Sequence, residues 1–433
     1  MTNETLAPRV RTGPTTQKTA LVVPASGTRR PVRLATLDAL RLVAALAVAA
    51  YHLTVSWRID GHRQPEHFLP HVSHVTIYGF LGVELFFLIS GFVICMSSWN
   101  RSLGDFFTSR VSRLYPAYWV CLLITAAVVT IAPITGGVPV TGSPGLLQIA
   151  ANLTMLQEPM GIGSVDTVYW TLFVELRFYL LFAALAAFGL TYRRVVLFCA
   201  AWMTVAVISP MLGSKAIEVL AIPGYAPYFI AGVAAFLIHR FGRSPLLFGI
   251  VGMAWLISLQ HVIGRVSDVN PGFPVPTWPG PVIITAAYAA LLAIALGWTD
   301  RIRWAWLTTA GALTYPFYLL HQRIGYTVIR HTYEATRLPA AVLVPGAMLL
   351  TLGLAWLVYR LVEKPLAARM RAGLRQAFAD LRAASARDAA PAGEAAPVPG
   401  AAPAREARAA APSTRPRTGV RVIRQVPGRS GER

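Results

Sequence analysis

The 433-residue sequence predicts an all-α fold, a polytopic integral-membrane helical bundle with about ten transmembrane helices. Composition is the first reason: 55% of residues are hydrophobic, only 13% are charged and the mean hydropathy is +0.53, well outside the range of a soluble domain. The second is a succession of apolar stretches from about Asp38 to Leu361, each long enough to cross roughly 30 Å of hydrocarbon at 1.5 Å per residue. The third is charge placement, since Lys and Arg gather in the two tails and in short connections between apolar runs.

Taken in order, the predicted spans are 37–56, 75–97, 114–133, 168–190, 195–212, 223–240, 244–263, 280–298, 305–325 and 339–361. Residues 1–34 mix Thr, Pro, Arg and Lys without periodicity and read as a disordered basic cytoplasmic tail. Residues 35–366 form the membrane domain. The first apolar run starts near Leu37 behind a polar segment, and no small-residue cleavage site follows it, so it is expected to stay as an anchor. Residues 367–433 are a basic Ala/Pro/Arg-rich tail, mostly disordered and resting on membrane lipid. Its start interleaves Arg369, Arg371, Arg375 and Arg382 with Leu374, Phe378 and Leu381, as an interfacial helix would.

Connection charge sets the expected orientation. The even-numbered connections hold Arg101, Arg110 and Arg113, then Arg193 and Arg194, Arg240 and Arg243, and Arg301 and Arg303. The odd ones hold Arg58 and Arg63, none in the long third connection, then Lys215, Arg265, and Arg323, Arg330 and Arg337. The positive-inside rule therefore puts both termini in the cytoplasm. The formal charge of +20 has no aromatic-interleaved basic patch, which argues against nucleic acid. Cys95, Cys121 and Cys199 lie in or beside apolar runs without CxxC spacing or clustered histidines, so neither a disulfide framework nor a metal centre is expected.

Ionisable side chains inside spans are costly and mark functional positions; here they are Arg41, His52, Glu84, Glu175, Arg177 and His321. Arg41 and His52 stand eleven residues apart, which returns them to within roughly 20° of one helical face and about 16 Å apart along the axis. Snorkelling is the competing reading for Arg41, and a structural hydrogen bond for His52. Glu84, Glu175, His52 and His321 are expected in one half of the membrane, with the glutamates as helix-helix ties on the plainer reading. Arg177 would answer Glu175 or a carboxylate on another helix. In FFTSRVSRLYP, Arg110 and Arg113 share a face if the turn is helical, an arrangement suited to bidentate capture of phosphate; ordinary topogenic charge is the alternative.

Together these segments resemble the acyltransferase-3 family of membrane proteins from Leu37 to Pro365. The Arg41 to His52 spacing looks like the family's Arg/Lys-x10-His signature. Gly82, Val83, Glu84, Leu85, Phe86 and Phe87, followed by Ser90 and Gly91, look like its second-helix motif, in which aspartate is the commoner acid. Arg110, Arg113 and Pro116 look like its RxxR motif and downstream proline. Trp170, Thr171, Leu172, Glu175, Phe178 and Tyr179 resemble WSLxxExxFY, with Arg177 where glutamine is frequent. Tyr315, Pro316, Tyr318, Leu319, Leu320 and His321 resemble SYPLYLLH, and Glu363, Lys364 and Pro365 the closing acid-x-proline.

The resemblance implies a multi-pass protein of the bacterial inner (plasma) membrane that transfers an acyl group from acyl-CoA, acetyl-CoA being the simplest donor, to a hydroxyl of a glycan or small molecule. A separate extracytoplasmic partner completes the transfer, or the membrane domain does so alone. On this reading Arg41, Arg110 and Arg113 bind the donor, and His52 is the base because imidazole titrates near neutrality. Glu84 or Glu175 would orient it, His321 is the reserve candidate, and Ser90 is a packing serine or a nucleophile. A secondary transporter or flippase is the rival, since intramembrane Glu and His also build proton relays.

Overall fold

The computed structural model describes residues 34–269 and 275–388. The expected tail over 1–33 and the segment from 389 onward lie outside the described residues. One compact unit ends at Asp380, and the packing and the site described below lie within it.

Ten long helices occupy the ten expected spans: α1 (Ala35–Thr54), α2 (Gly82–Ser98), α3 (Leu103–Ile131), α4 (Trp170–Ala187), α5 (Tyr192–Ile208), α6 (Ala226–Phe241), α7 (Pro245–Val269), α8 (Pro279–Ala295), α9 (Ala305–Thr336) and α10 (Ala340–Val358). Among the described residues there is no strand. Among the described residues, eight helical stretches are long and apolar enough to cross a bilayer; α8 is apolar but shorter, and α9 falls outside that group. Large apolar side chains such as Ile131, Leu180, Phe188 and Leu349 face outward, as a lipid solvent permits. This is a multi-pass membrane protein.

Neighbours pack as α10–α9–α1–α2–α6–α7–α8, with α3 against α9 and α5 against α6. The closest crossing joins α2 to α6. A Cβ on Gly91 would run into the Phe229 carbonyl oxygen, and one on Gly232 into that of Leu88, so only glycine lets these backbones touch. Around the crossing Phe178 stacks on Phe229 at 4.3 Å and on Trp202 at 5.7 Å, filling the core with rings.

Two helices depart from their expected bounds by eleven residues, each for a local reason. Helix α3 begins eleven residues before the expected 114 because Ser102 caps it: its hydroxyl accepts the Asp105 N–H at 3.1 Å and donates to the Asp105 carboxylate at 2.8 Å. Arg110 and Arg113 therefore ride on a helix, on one face. Helix α9 runs to Thr336 rather than 325, because its arginines are not connection charge. Arg323 donates to the carbonyls of Val165 and Gly142, both at 2.6 Å. Arg330 donates to those of Ile59 at 2.5 Å, Arg58, and Gly136 at 3.2 Å. Both guanidinium groups are buried and pin loops by their backbones. Arg265, also counted as connection charge, lies on α7.

After α10, a five-residue π-helical turn, Tyr359–Glu363, leads into α11 (Lys364–Asp388). Phe378 of α11 packs edge-on against Phe107 at 6.2 Å.

Candidate active site

The polar residues of the spans sort into two cavities that meet. The first, near the Ala35 end of α1, is lined by Arg41, Arg110, Arg113, Glu175, Ser90, Thr171, Tyr179 and Tyr315 among apolar neighbours. Arg41 comes from α1, paired with Asp38 at 3.5 Å, and the other two arginines from the capped start of α3. Arg110 donates from Nη2 to the hydroxyls of Ser97 at 2.9 Å and Ser109 at 3.1 Å, while its Nε is buried without a hydrogen-bond partner. Glu175 answers this positive charge from α4, held by the Ser90 hydroxyl at 2.7 Å and by that of Tyr179. Three guanidinium groups line the cavity against one lining carboxylate, Glu175, with Asp38 beside Arg41, and this basic balance in a largely apolar wall favours a polyanion.

The second cavity, near the Thr54 end of α1, has a volume of about 350 Å³ and is lined by Tyr51, His52, Phe80, Trp170, Tyr225 and Arg265, with Val48 and Val269. Val83 and Tyr318 line both cavities, so those two side chains form the partition. Arg265 lies over the rings of Phe80, Trp170 and Tyr225 at 5.2–5.8 Å and donates to the Tyr225 hydroxyl at 2.6 Å. Its Nε is 2.7 Å from Glu84 Oε1, a charge pair in which the N–H is not aimed at the oxygen. Glu84 is wholly buried, so this pairing is what makes its charge tolerable.

His52 and His321 meet at the partition. His52 Nδ1 is 2.9 Å from His321 Nε2, and His321 Nδ1 is 2.8 Å from the Tyr318 carbonyl. A carbonyl only accepts, so with both rings neutral the network assigns the protons: His321 Nδ1–H points to Tyr318 and its Nε2 accepts from His52 Nδ1–H. The lone pair of His52 is then on Nε2, in a residue lining the second cavity.

Of the residues singled out in the sequence, His52 and His321 come together, and Arg41, Arg110, Arg113 and Glu175 come together. Of the four groups expected in one half of the membrane, Glu175 lines the first cavity and His52 the second. The ring of His52 is held by a histidine rather than a carboxylate, because Glu84 is taken up by Arg265 and Glu175 by Ser90 and Tyr179. Among the described residues Arg177 pairs with no helix carboxylate: it donates to the Val219 carbonyl at 2.9 Å, lies over Phe173, and the carboxylate that acts on it, Glu158, is in the connection before α4.

Sequence reasoning missed Arg265 and Asp166. Arg265 stands two residues past the expected end of its span, and one further helical turn would have included it. Asp166 precedes α4 and is fully buried; its carboxylate accepts the Val168 N–H at 3.2 Å and the Arg323 N–H at 3.1 Å, and burial pushes its pKa up to about 6.

Residues 34–360 match the acyltransferase-3 family, described as an acyltransferase domain. The chain is 31% identical to the acyltransferase MdmB of Streptomyces mycarofaciens over 339 residues, 70% of this chain and 81% of that one. Over 95 residues it is 32% identical to the peptidoglycan O-acetyltransferase OatA of Listeria monocytogenes, covering 20% of this chain and 12% of the relative. Over 134 residues it is 34% identical to nodulation protein 10 of Rhizobium leguminosarum bv. viciae, 26% of this chain and 35% of the relative. No solved structure matches. The ordered motifs, the helical membrane fold and these matches agree: the chain belongs to the acyltransferase-3 family and is a membrane acyltransferase.

Proposed function

We propose that the protein transfers an acyl group from acyl-CoA to a hydroxyl of a glycan or small-molecule acceptor, the two substrates entering from opposite faces of the membrane. The observation that carries this reading is the shared partition: a cavity with three arginines and a cavity with His52 adjoin at Val83 and Tyr318. The phosphates of CoA suit the planar forks of Arg110 and Arg113, with Arg41 further along the same cavity as a guide for the pantetheine arm. The relatives named for peptidoglycan and O-acetylation support a hydroxylated glycan acceptor and an acetyl donor.

In this reaction His52 Nε2 takes the hydroxyl proton as the acceptor oxygen attacks the thioester carbonyl carbon. The new C–O bond forms, the C–S bond breaks, and CoA leaves as a thiolate that recovers the proton from the imidazolium. His321 accepts the His52 N–H and so holds the ring in the tautomer that the step requires. Glu84 and Glu175 act on the arginines of their own cavities rather than on the base.

The arginine cavity belongs on the cytoplasmic side, where CoA is, with both termini cytoplasmic in the inner membrane. The positive-inside reading of the connections, with Arg101, Arg110 and Arg113 at this end of the bundle, supports that orientation. Two experiments test the reading. Purified protein supplied with acetyl-CoA and cell-envelope glycan extract should release free CoA and label the glycan; no acceptor-dependent release would sink the function. In intact spheroplasts an impermeant thiol reagent should label a cysteine placed at Gly161 and spare one placed at Arg101; the reverse pattern would overturn the orientation.

A further inference from the structure

Acyl transfer places negative charge on the thioester carbonyl oxygen, and the reading above, on which this inference rests, names no group to receive it. Such a donor has to sit where the acyl carbon passes from the arginine cavity to His52, and Val83 and Tyr318 are the side chains shared by the two cavities. Val83 carries no donor. Tyr318 does, and it is buried at that boundary on the same helix as His321.

The other hydroxyls of the arginine cavity are committed. Ser90 and Tyr179 donate to Glu175, Thr171 to the Val168 carbonyl at 3.0 Å, Thr314 to the Gly311 carbonyl at 2.7 Å, and Tyr315 to the Leu114 carbonyl at 3.2 Å. Tyr318 has a choice. Its oxygen is 3.0 Å from Thr171 Oγ1 and a longer 3.3 Å from the Val168 carbonyl. If its proton turns to a substrate oxygen, Thr171 keeps its own bond to Val168, and that carbonyl keeps a donor. Redirecting this one hydroxyl orphans no buried group, so it carries no desolvation penalty.

We propose that the Tyr318 hydroxyl is a catalytic hydrogen-bond donor to the thioester carbonyl oxygen, holding the charge that develops as the acceptor attacks. The same residue then serves both ends of the step: its backbone carbonyl sets the His321–His52 proton arrangement, and its side chain meets the oxyanion.

The test uses the full-length protein in detergent with acetyl-CoA isotope-labelled at the carbonyl, read by infrared difference spectroscopy, with donor affinity measured in parallel. Bound to the wild type, the carbonyl band should fall below its frequency in water, and Tyr318→Phe should return it toward that value with donor affinity unchanged. Acceptor-dependent kcat should fall about 10² to 10³-fold in the same variant. Thr171→Val should keep the lowered band, because the donated proton is the tyrosine's, and this variant carries the test if Tyr318→Phe fails to fold. A lowered band that survives Tyr318→Phe, one lost in Thr171→Val alone, or no lowering in the wild type overturns the assignment. Absence of acetyl-CoA binding to the wild type overturns the donor reading instead.

Discussion

His321 stands between His52 and a backbone carbonyl, 2.9 Å from the first and 2.8 Å from the second, and so transmits a fixed hydrogen-bond direction to the ring that faces the second cavity. If that direction matters, His52→Gln should cost about 10² to 10⁴-fold in kcat, since it keeps a polar side chain of similar reach but no base. His321→Ala should cost on the order of 10²-fold with donor KM unchanged, and His321→Gln, whose carbonyl can accept the His52 N–H, should recover part of it. Equal rates for His321→Ala and His321→Gln would mean that His321 only packs.

Arg110 and Arg113 are expected to set donor affinity. Replacing either with Lys substitutes a point charge for a planar fork, so the KM for acetyl-CoA should rise by about tenfold, a loss of about 1.4 kcal/mol, while kcat changes little. Unchanged donor affinity in a folded Arg110→Ala/Arg113→Ala variant would return these residues to a purely topogenic role.

Glu84 and Arg265 should behave as one unit in stability. Removing Arg265 leaves the buried Glu84 charge uncompensated, a loss of about 3–5 kcal/mol; removing Glu84 leaves the partly exposed Arg265 and should cost less, and Glu84→Gln combined with Arg265→Met removes both charges and should recover much of the larger loss. Thermal unfolding of the three variants in one detergent measures the coupling. Strictly additive losses would show that the 2.7 Å contact contributes nothing.

Asp166 gives a pH dependence of defined sign. Burial raises its pKa in the folded protein from the ordinary 3.8 to about 6, so its contribution to stability is fully present below pH 3.8 and is lost as pH rises through about 6. The loss is about 3 kcal/mol, since each pH step of one between those two values is worth about 1.36 kcal/mol for a single proton. Asp166→Asn cannot ionise and should lack this component. The difference in Tm between wild type and variant should therefore move against the wild type between pH 4 and pH 6; a constant difference across that range would contradict the assignment.

Most of the helices were legible because lipid demands long apolar runs, and eight described stretches meet that demand by length and composition with no knowledge of contacts. Arg41, His52, Glu84, Glu175 and His321 were legible for the converse reason, as polar side chains within such runs. Their grouping was not. Whether Glu84 meets His52 or Arg265 depends on how α1, α2 and α7 are placed around the α2–α6 contact, and the one-dimensional pattern gives depth without azimuth. The arginines of α9 were misread by the same limit. Arg323 and Arg330 look like connection charge until the carbonyls that satisfy them, more than 150 residues away in sequence, are brought alongside.

Helix α9 has a consequence for biogenesis. It falls outside the group of helices apolar enough to enter the bilayer by composition, and the carbonyls that neutralise Arg323 and Arg330 belong to segments made long before it. As it leaves the translocon, its hydrogen-bonding partners have to be waiting, with α1 and α3 already inserted and the loops at 58–59, 136–142 and 165 already in place beside it. His321, the partner of His52, and Tyr318, the proposed oxyanion donor, lie on this late helix. Assembly of the chemistry is thereby delayed until nearly the whole chain has been synthesised, and a truncated or stalled product carries His52 without the neighbour that orients it.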